Sequence, residues 1–239
     1  HLRDERMMGI DLAVIGGTGV YRLPGIEWLE TVEMDTPYGS PSGPVRIARI
    51  GARRIAFLAR HGEAHALPPH KVNYRANLKA LQDIGAGKVL AVNTVGGITE
   101  RFGPRVLAVP EQIIDYTWGR ISTLCEENGS EVLHVDFTEP YTGSLRKALL
   151  KACMAASVAV VDGGCYAATQ GPRLESRAEI MRLKRDGCDL VGMTGMPEAG
   201  LARELGLDYA SLCVVANWAA GCDSDNAEIT LQEVLANVD

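Results

Sequence analysis

The sequence has no apolar run long enough to cross a bilayer, so nothing in it reads as a transmembrane helix. It has no basic cluster either. With 24 Lys and Arg against 30 Asp and Glu the formal net charge is −6, and a protein that grips nucleic acid by its phosphates needs cations gathered in one place. None of the six cysteines, Cys125, Cys153, Cys165, Cys188, Cys213 and Cys222, belongs to a C-x-x-C pair. Most sit in apolar runs, as buried reduced thiols do, and that favours the cytosol. The first nine residues are charged and lack the apolar stretch of a signal peptide. His1 ahead of Met7-Met8 reads as a cloning remnant, so residues 1–10 are expected to be disordered or foreign, with one domain over residues 11–239. No internal repeat or low-complexity tract is present. At 46% hydrophobic and 23% charged, the chain can bury a large core as a soluble protein.

Two nucleotide-binding signatures are missing as well. Asp11-Leu12-Ala13-Val14-Ile15 reads as a buried strand running into Gly16-Gly17-Thr18-Gly19, but Arg22 stands where a dinucleotide fingerprint needs its third glycine. No Gly-Lys-Ser/Thr follows, so it is not a P-loop. What remains is a strand-end turn whose glycines let backbone amides approach an anion, with the Thr18 hydroxyl as a further donor. Plain structure also uses such turns.

The same pattern recurs. Residues 54–59 form a second apolar strand that gives way at Arg60-His61-Gly62 to two potential cations. At the carboxyl end of a strand in an open α/β sheet, a guanidinium fork and an imidazole donor suit an oxyanion, phosphate first. The alternative is a surface ion pair of Arg60 with Glu63 beside a structural histidine. Residues 88–93 form a third strand, ending in Thr94-Val95-Gly96-Gly97. Later, a strand over 165–169 leads to Gln170-Gly171-Pro172-Arg173-Leu174-Glu175, and Ser176 with Glu179 has capping-box spacing. Leu174 and Glu175 then stand at the mouth of a helix, Glu175 either reading a ligand or placing charge at the helix start. A strand over 189–193 ends at Thr194-Gly195, where hydroxyl, glycine and helix start again suit an anion.

Other segments are read from periodicity and turn residues. Tyr74, Leu78 and Leu81 predict an amphipathic helix over 72–84 closed by Gly85, a second helix is expected over 145–156, and a strand over 158–162. The last long strand, 209–216, ends at Asn217-Trp218-Ala219, and Thr230 with Glu233 opens a terminal helix. The stretch 105–143 offers only His134 as a candidate side chain. His61, His65 and His70 invite a zinc reading, but Pro68-Pro69 breaks any helix that would align them and no Cys or Asp completes a set, so no metal is expected.

Taken in order, Gly16-Gly17-Thr18-Gly19, Arg60-His61-Gly62, Asn93-Thr94-Val95-Gly96-Gly97, Thr169 to Glu175 and Met193-Thr194-Gly195-Met196-Pro197-Glu198 resemble the nucleoside phosphorylase family, in particular its 5'-methylthioadenosine phosphorylase branch. The resemblance spans roughly Leu12 to Val238. It implies a single α/β domain with a mixed, partly barrelled sheet flanked by helices, assembled as a homotrimer. It implies phosphorolysis: inorganic phosphate attacks C1' of a purine nucleoside, releasing base and pentose 1-phosphate with no metal or organic cofactor. By the match, Thr18, Arg60, His61, Thr94, the backbone at Val95 and Thr194 hold phosphate, and Met193 packs on the ribose.

The chain departs from that branch at the base. Adenine-selective relatives carry Asp-x-Asp where this chain has Asn217-Trp218-Ala219, and usually Ser where it has Glu175. Adenine offers a donor at position 6 and an acceptor at N1; a 6-oxopurine reverses both. An amide at Asn217 can donate to O6 or N7 and a carboxylate at Glu175 can accept from N1–H, so the pair suits hypoxanthine. Leu174 replaces a frequent Phe. At the 5' end the match points to His134 from a neighbouring subunit and to Leu231 and Val234 on the terminal helix; the two apolar residues welcome a methylthio group or are simply core. The expected substrate is 5'-methylthioinosine. Methylthioadenosine, inosine or guanosine, and a nucleoside-binding module without turnover, remain the alternatives.

Overall fold

The computed structural model describes residues 9–127, 129–223 and 229. The first half of the chain supplies strands β1 (Leu12–Gly16), β2 (Glu27–Val32), β3 (Val45–Ile50), β4 (Arg53–Ala59) and β5 (Lys88–Gly97), with helix α1 (Tyr74–Asp83) before β5. Beyond it come β6 (Leu107–Val109), β7 (Gln112–Asp115), α2 (Gly143–Ala155), β8 (Val161–Asp162), β9 (Cys165–Ala168), α3 (Arg177–Arg185), β10 (Leu190–Gly192), α4 (Gly195–Glu204) and β11 (Asp208–Trp218). All these strands join one mixed sheet, flanked by the helices. The expected α/β class is what the chain adopts.

The apolar runs become the central strands because both their faces are covered. Ile15 of β1, Leu58 of β4 and Val89 of β5 pack in one buried cluster with Leu78 and Leu81 of α1 and Leu201 of α4. Helix α1 starts at Asn73, whose side chain accepts the Ala76 amide, and the chain turns off it at Gly85, φ +104°. The capping box read at Ser176 is present in full: Ser176 accepts from the Glu179 amide and Glu179 from the Ser176 amide.

Strand β5 organises the sheet. β1 runs between β4 and β5, parallel to both, so the ends of all three point the same way. On that edge the β1 pairing with β5 stops at Ala91, and antiparallel β10 takes over only at Gly96 and Gly97. On its other edge β5 is paired by parallel β11 along its length. The sheet therefore forks beside Val92 to Val95, and the fork is a topological switch point, the position where open α/β sheets leave a crevice.

Several boundaries differ from the sequence reading; the strand read over 88–93 runs on through Thr94 to Gly97, residues expected to form the turn after it. The strand expected over 158–162 is only Val161–Asp162, because residues 158–160 complete the exit from α2: the Val158 amide donates to the Cys153 carbonyl and Ser157 has φ +56°. β11 continues past Ala216 to Trp218, with a register shift between Val215 and Asn217. That bulge re-aims the last two residues of the strand. The expected terminal helix lies outside the described residues, as do residues 1–8.

Candidate functional site

The crevice at the fork is a cavity of about 530 Å³, a size that holds a nucleoside-sized molecule. Gly17 after β1, Arg60 and His61 after β4, and Thr94 and Val95 on β5 line one part of it; Thr194 after β10 joins them. Leu174, Glu175, Met193, Asn217 and Ala219 line the same cavity. Strand ends that are far apart in sequence thus converge on one space.

Arg60 is not on the surface. It is 2% exposed, and its guanidinium meets the fully buried carboxylate of Glu198 on α4 through two bonds, Nε to Oε2 at 2.7 Å and Nη2 to Oε1 at 2.8 Å. Nη1 donates to the Val92 carbonyl and Nη2 also to the Ile15 carbonyl. Four of its five N–H groups are so occupied, and one on Nη1 is left for the cavity. Burial alone would favour the neutral form, but the Glu198 charge and hydrogen bonds outweigh it and hold the guanidinium charged. Tyr209 completes the network by donating to Glu198 Oε1 at 2.8 Å. The alternative surface pair does not form, since Glu63 pairs with Arg46.

His61 Nδ1 lies 2.9 Å from the Leu67 carbonyl. A carbonyl only accepts, so Nδ1 carries the proton. Burial pulls the imidazole pKa down, against the Leu67 contact and with the Arg60 charge, and favours a neutral ring. Its Nε2 is then an acceptor, where the sequence reading had the ring as one more donor; it suits a P–OH rather than a bare oxyanion. Thr94 is exposed although the residues on either side of it on β5 are covered. The amides of Thr194 and Gly195, read as helix-start donors, are already taken by the buried Tyr166 hydroxyl at 3.4 and 3.2 Å. What Thr194 presents is its side chain. Thr18 sits in a 3-10 turn (Thr18–Arg22); its neighbour Gly17, not Thr18, is among the lining residues.

At the other part of the cavity, Glu175 Oε1 accepts from the Thr169 hydroxyl at 2.7 Å. Glu179 supplies the charge at the start of α3, its carboxyl pulled down to about 2 by Arg173 and the Ser176 amide, so Glu175 is not needed there. Asn217 spends one N–H on the Trp218 carbonyl at 2.7 Å and keeps the other. Met193 is held by Gly171, φ +56°, where a methyl group would drive into the Met193 thioether. Leu174 is half-exposed at the rim.

Besides Thr18, two expected residues do not join, and two more cannot be placed. Trp218 follows Asn217 on the pleated strand and so faces away from it: its ring packs on Gly103 and borders a separate depression with Ile98 and Cys222. His134 is exposed and is not among the lining residues of this chain. Leu231 and Val234 lie outside the described residues, while Ile229 does line the cavity.

Sequence reasoning missed two side chains. Glu198 was quoted only as part of a motif, with no signal that Arg60, 138 residues away, was its partner. Arg120 lies in a stretch without periodicity. It donates to the carbonyls of Met193 (2.8 Å), Met196 (2.7 Å), Thr169 (3.3 Å) and Gln170 (2.9 Å) and to the Tyr74 hydroxyl, tying together the turns that carry Glu175, Met193 and Thr194.

The model of the phosphorylase superfamily matches residues 11–239. A protein of Xanthomonas campestris named "probable S-methyl-5'-thioinosine phosphorylase" is 67% identical over 96% of this chain and 92% of its own length. A purine nucleoside phosphorylase of Streptomyces coelicolor is 43% identical over 96% and 84%. Among solved structures, methylthioadenosine phosphorylase from Schistosoma mansoni in complex with adenine superposes with a TM-score of 0.89 at 32% identity, covering 95% of this chain and 85% of that one.

Proposed function

The chain belongs to the phosphorylase superfamily, and we propose that it is the phosphorolytic enzyme of a 5'-methylthio purine nucleoside with a 6-oxo base: S-methyl-5'-thioinosine and phosphate give hypoxanthine and 5-methylthioribose 1-phosphate. One observation carries the base assignment: Glu175 and Asn217 line the same cavity as Arg60, Thr94 and Thr194. A carboxylate that accepts and an amide that donates match N1–H and O6 of a 6-oxopurine and mismatch N1 and the 6-amino group of adenine, whereas N7 accepts in both purines.

In this reading phosphate sits against Arg60, Thr94, the Val95 backbone and Thr194, near Gly17 and Thr18, while Met193 packs on the ribose. The C1'–O bond to phosphate forms as the C1'–N9 bond breaks, and the bonding pair leaves with the purine. Asn217 steadies the charge that builds on the base. His61 Nε2 takes the hydroxyl of hydrogen phosphate, which turns an unprotonated oxygen toward C1'. Phosphate is a co-substrate, and the chemistry calls for neither metal nor organic cofactor. A homotrimer in the cytosol, with His134 reaching a neighbouring subunit's 5' pocket beside Leu231 and Val234, is part of the same proposal. Among the described residues no helix is long and apolar enough to cross a membrane.

Steady-state rates with methylthioinosine, methylthioadenosine and inosine, each with phosphate, test it. The 6-oxo methylthio nucleoside is expected to be best; a wide preference for methylthioadenosine would overturn the base assignment.

A further inference from the structure

Behind Thr194 lies a line of buried polar side chains that the proposed reaction leaves unassigned. Ser211 on β11, 1% exposed, donates from Oγ to Asn93 Oδ1 at 2.7 Å; Asn93 on β5, 2% exposed, donates from Nδ2 to Thr194 Oγ1 at 2.8 Å. Each step uses up one role. With Oδ1 engaged by the Ser211 proton, the Asn93 amide is held with its nitrogen toward Thr194, and Thr194 must accept. The Tyr166 oxygen beside it already takes two amides, those of Thr194 and Gly195, which fills its acceptor capacity. The Thr194 side chain is also within reach of that oxygen, but a bond there would be the third it accepts, so the uncrowded direction for the Thr194 hydroxyl proton is the cavity, which Thr194 lines.

We infer that Ser211 and Asn93 are positioning residues that set the direction of the Thr194 hydroxyl, turning its proton into the cavity toward the anion. The inference rests on the reading of that anion as phosphate. Were the Asn93 amide reversed, its oxygen would take the Thr194 proton and Thr194 would meet an anion with lone pairs. The buried Arg60 charge is largely cancelled by Glu198, so a neutral donor of fixed direction matters more here than beside an unpaired cation.

The test is a double-mutant cycle read through two Michaelis constants. Ser211→Ala frees the amide to turn and is expected to raise the KM for phosphate about 3- to 10-fold, with the KM for nucleoside held within about twofold, since a charge-assisted bond is weakened and not removed. Thr194→Val removes the donor and raises the phosphate KM by about 10-fold or more. In the Thr194→Val background, Ser211→Ala is expected to add nothing. Asn93→Leu, which removes the relay with similar volume, should repeat the Ser211→Ala pattern. Equal rises in both KM values, the same Ser211→Ala effect in both backgrounds, or no effect of Ser211→Ala would each overturn the relay. A native chain whose turnover does not depend on phosphate would overturn the underlying reading itself, which the Ser211 results alone would not.

Discussion

Replacing Glu198 by Gln isolates the consequence of burying a cation beside a binding cavity. The native carboxylate takes two N–H groups of Arg60 and the Tyr209 hydroxyl, and both partners of the ion pair are sealed from solvent. Gln keeps the shape but offers one acceptor atom and turns an N–H toward the guanidinium. Breaking one side of a buried pair costs about 3–5 kcal/mol, because the remaining charge has lost its water and its partner. At about 2–4 °C per kcal/mol for a chain of this size, the melting temperature should fall by about 6–20 °C. The charge that Glu198 cancelled would then face the cavity through the free Nη1 hydrogen. Added phosphate should therefore stabilise the variant more than the native chain. Differential scanning fluorimetry of both proteins from 0 to tens of millimolar phosphate reads both effects. A loss below about 1 kcal/mol, or an equal phosphate-induced rise in the two proteins, would refute the idea that Glu198 neutralises Arg60 inside the fold.

Asn217→Asp replaces an amide donor by an acceptor and should shift the ratio of kcat/KM toward the 6-amino nucleoside by about 10-fold or more, as one buried hydrogen bond reverses sign; an unchanged ratio of the two substrates counts against the base assignment. Gly171→Ala pushes into Met193 at a positive φ and should raise the nucleoside KM while costing about 1–3 kcal/mol, measured by urea titration beside the kinetics. His61 has a folded pKa below its unfolded value of about 6.5, so the unfolded chain binds the proton more readily. Its contribution is present above about pH 6.5 and lost as pH falls through the folded pKa; His61→Gln should flatten that acid-side decline in melting temperature. Arg120→Met removes four carbonyl contacts and should depress both the melting temperature and turnover, and a variant that melts like the native chain would deny Arg120 its tying role.

The ends of β1, β4 and β10 were legible because glycine and polar residues follow apolar runs, a local pattern that needs no knowledge of the fold. The capping box at Ser176 was legible for the same reason, but the strand-end pattern misread Thr94 to Gly97, which lie within β5. Arg60 was placed at the strand end that faces the cavity, where it lies, but its partner was not legible: nothing local distinguishes an arginine that pairs with Glu63 from one buried against α4. Ser211, Asn93 and Thr194 belong to three strands or strand ends and form a line only once β5 and β11 pair. Trp218 was assigned with Asn217 because they are adjacent in sequence, whereas on a pleated strand adjacency means opposite faces. Arg120 carries no pattern of its own, since its partners are backbone carbonyls, which every residue possesses.

The fork beside β5 divides labour along the chain. Most of the residues that would handle the anion, at positions 17, 60, 61 and 94, come before the fork closes, while those proposed to face the purine, at 175 and 217, are delivered afterwards on segments packed from the other side. On the proposed reading, a mutation at 175 or 217 would therefore alter which purine is welcome without moving the strand ends that hold the anion. Such a scaffold can drift between bases through a handful of late substitutions while its reaction stays the same.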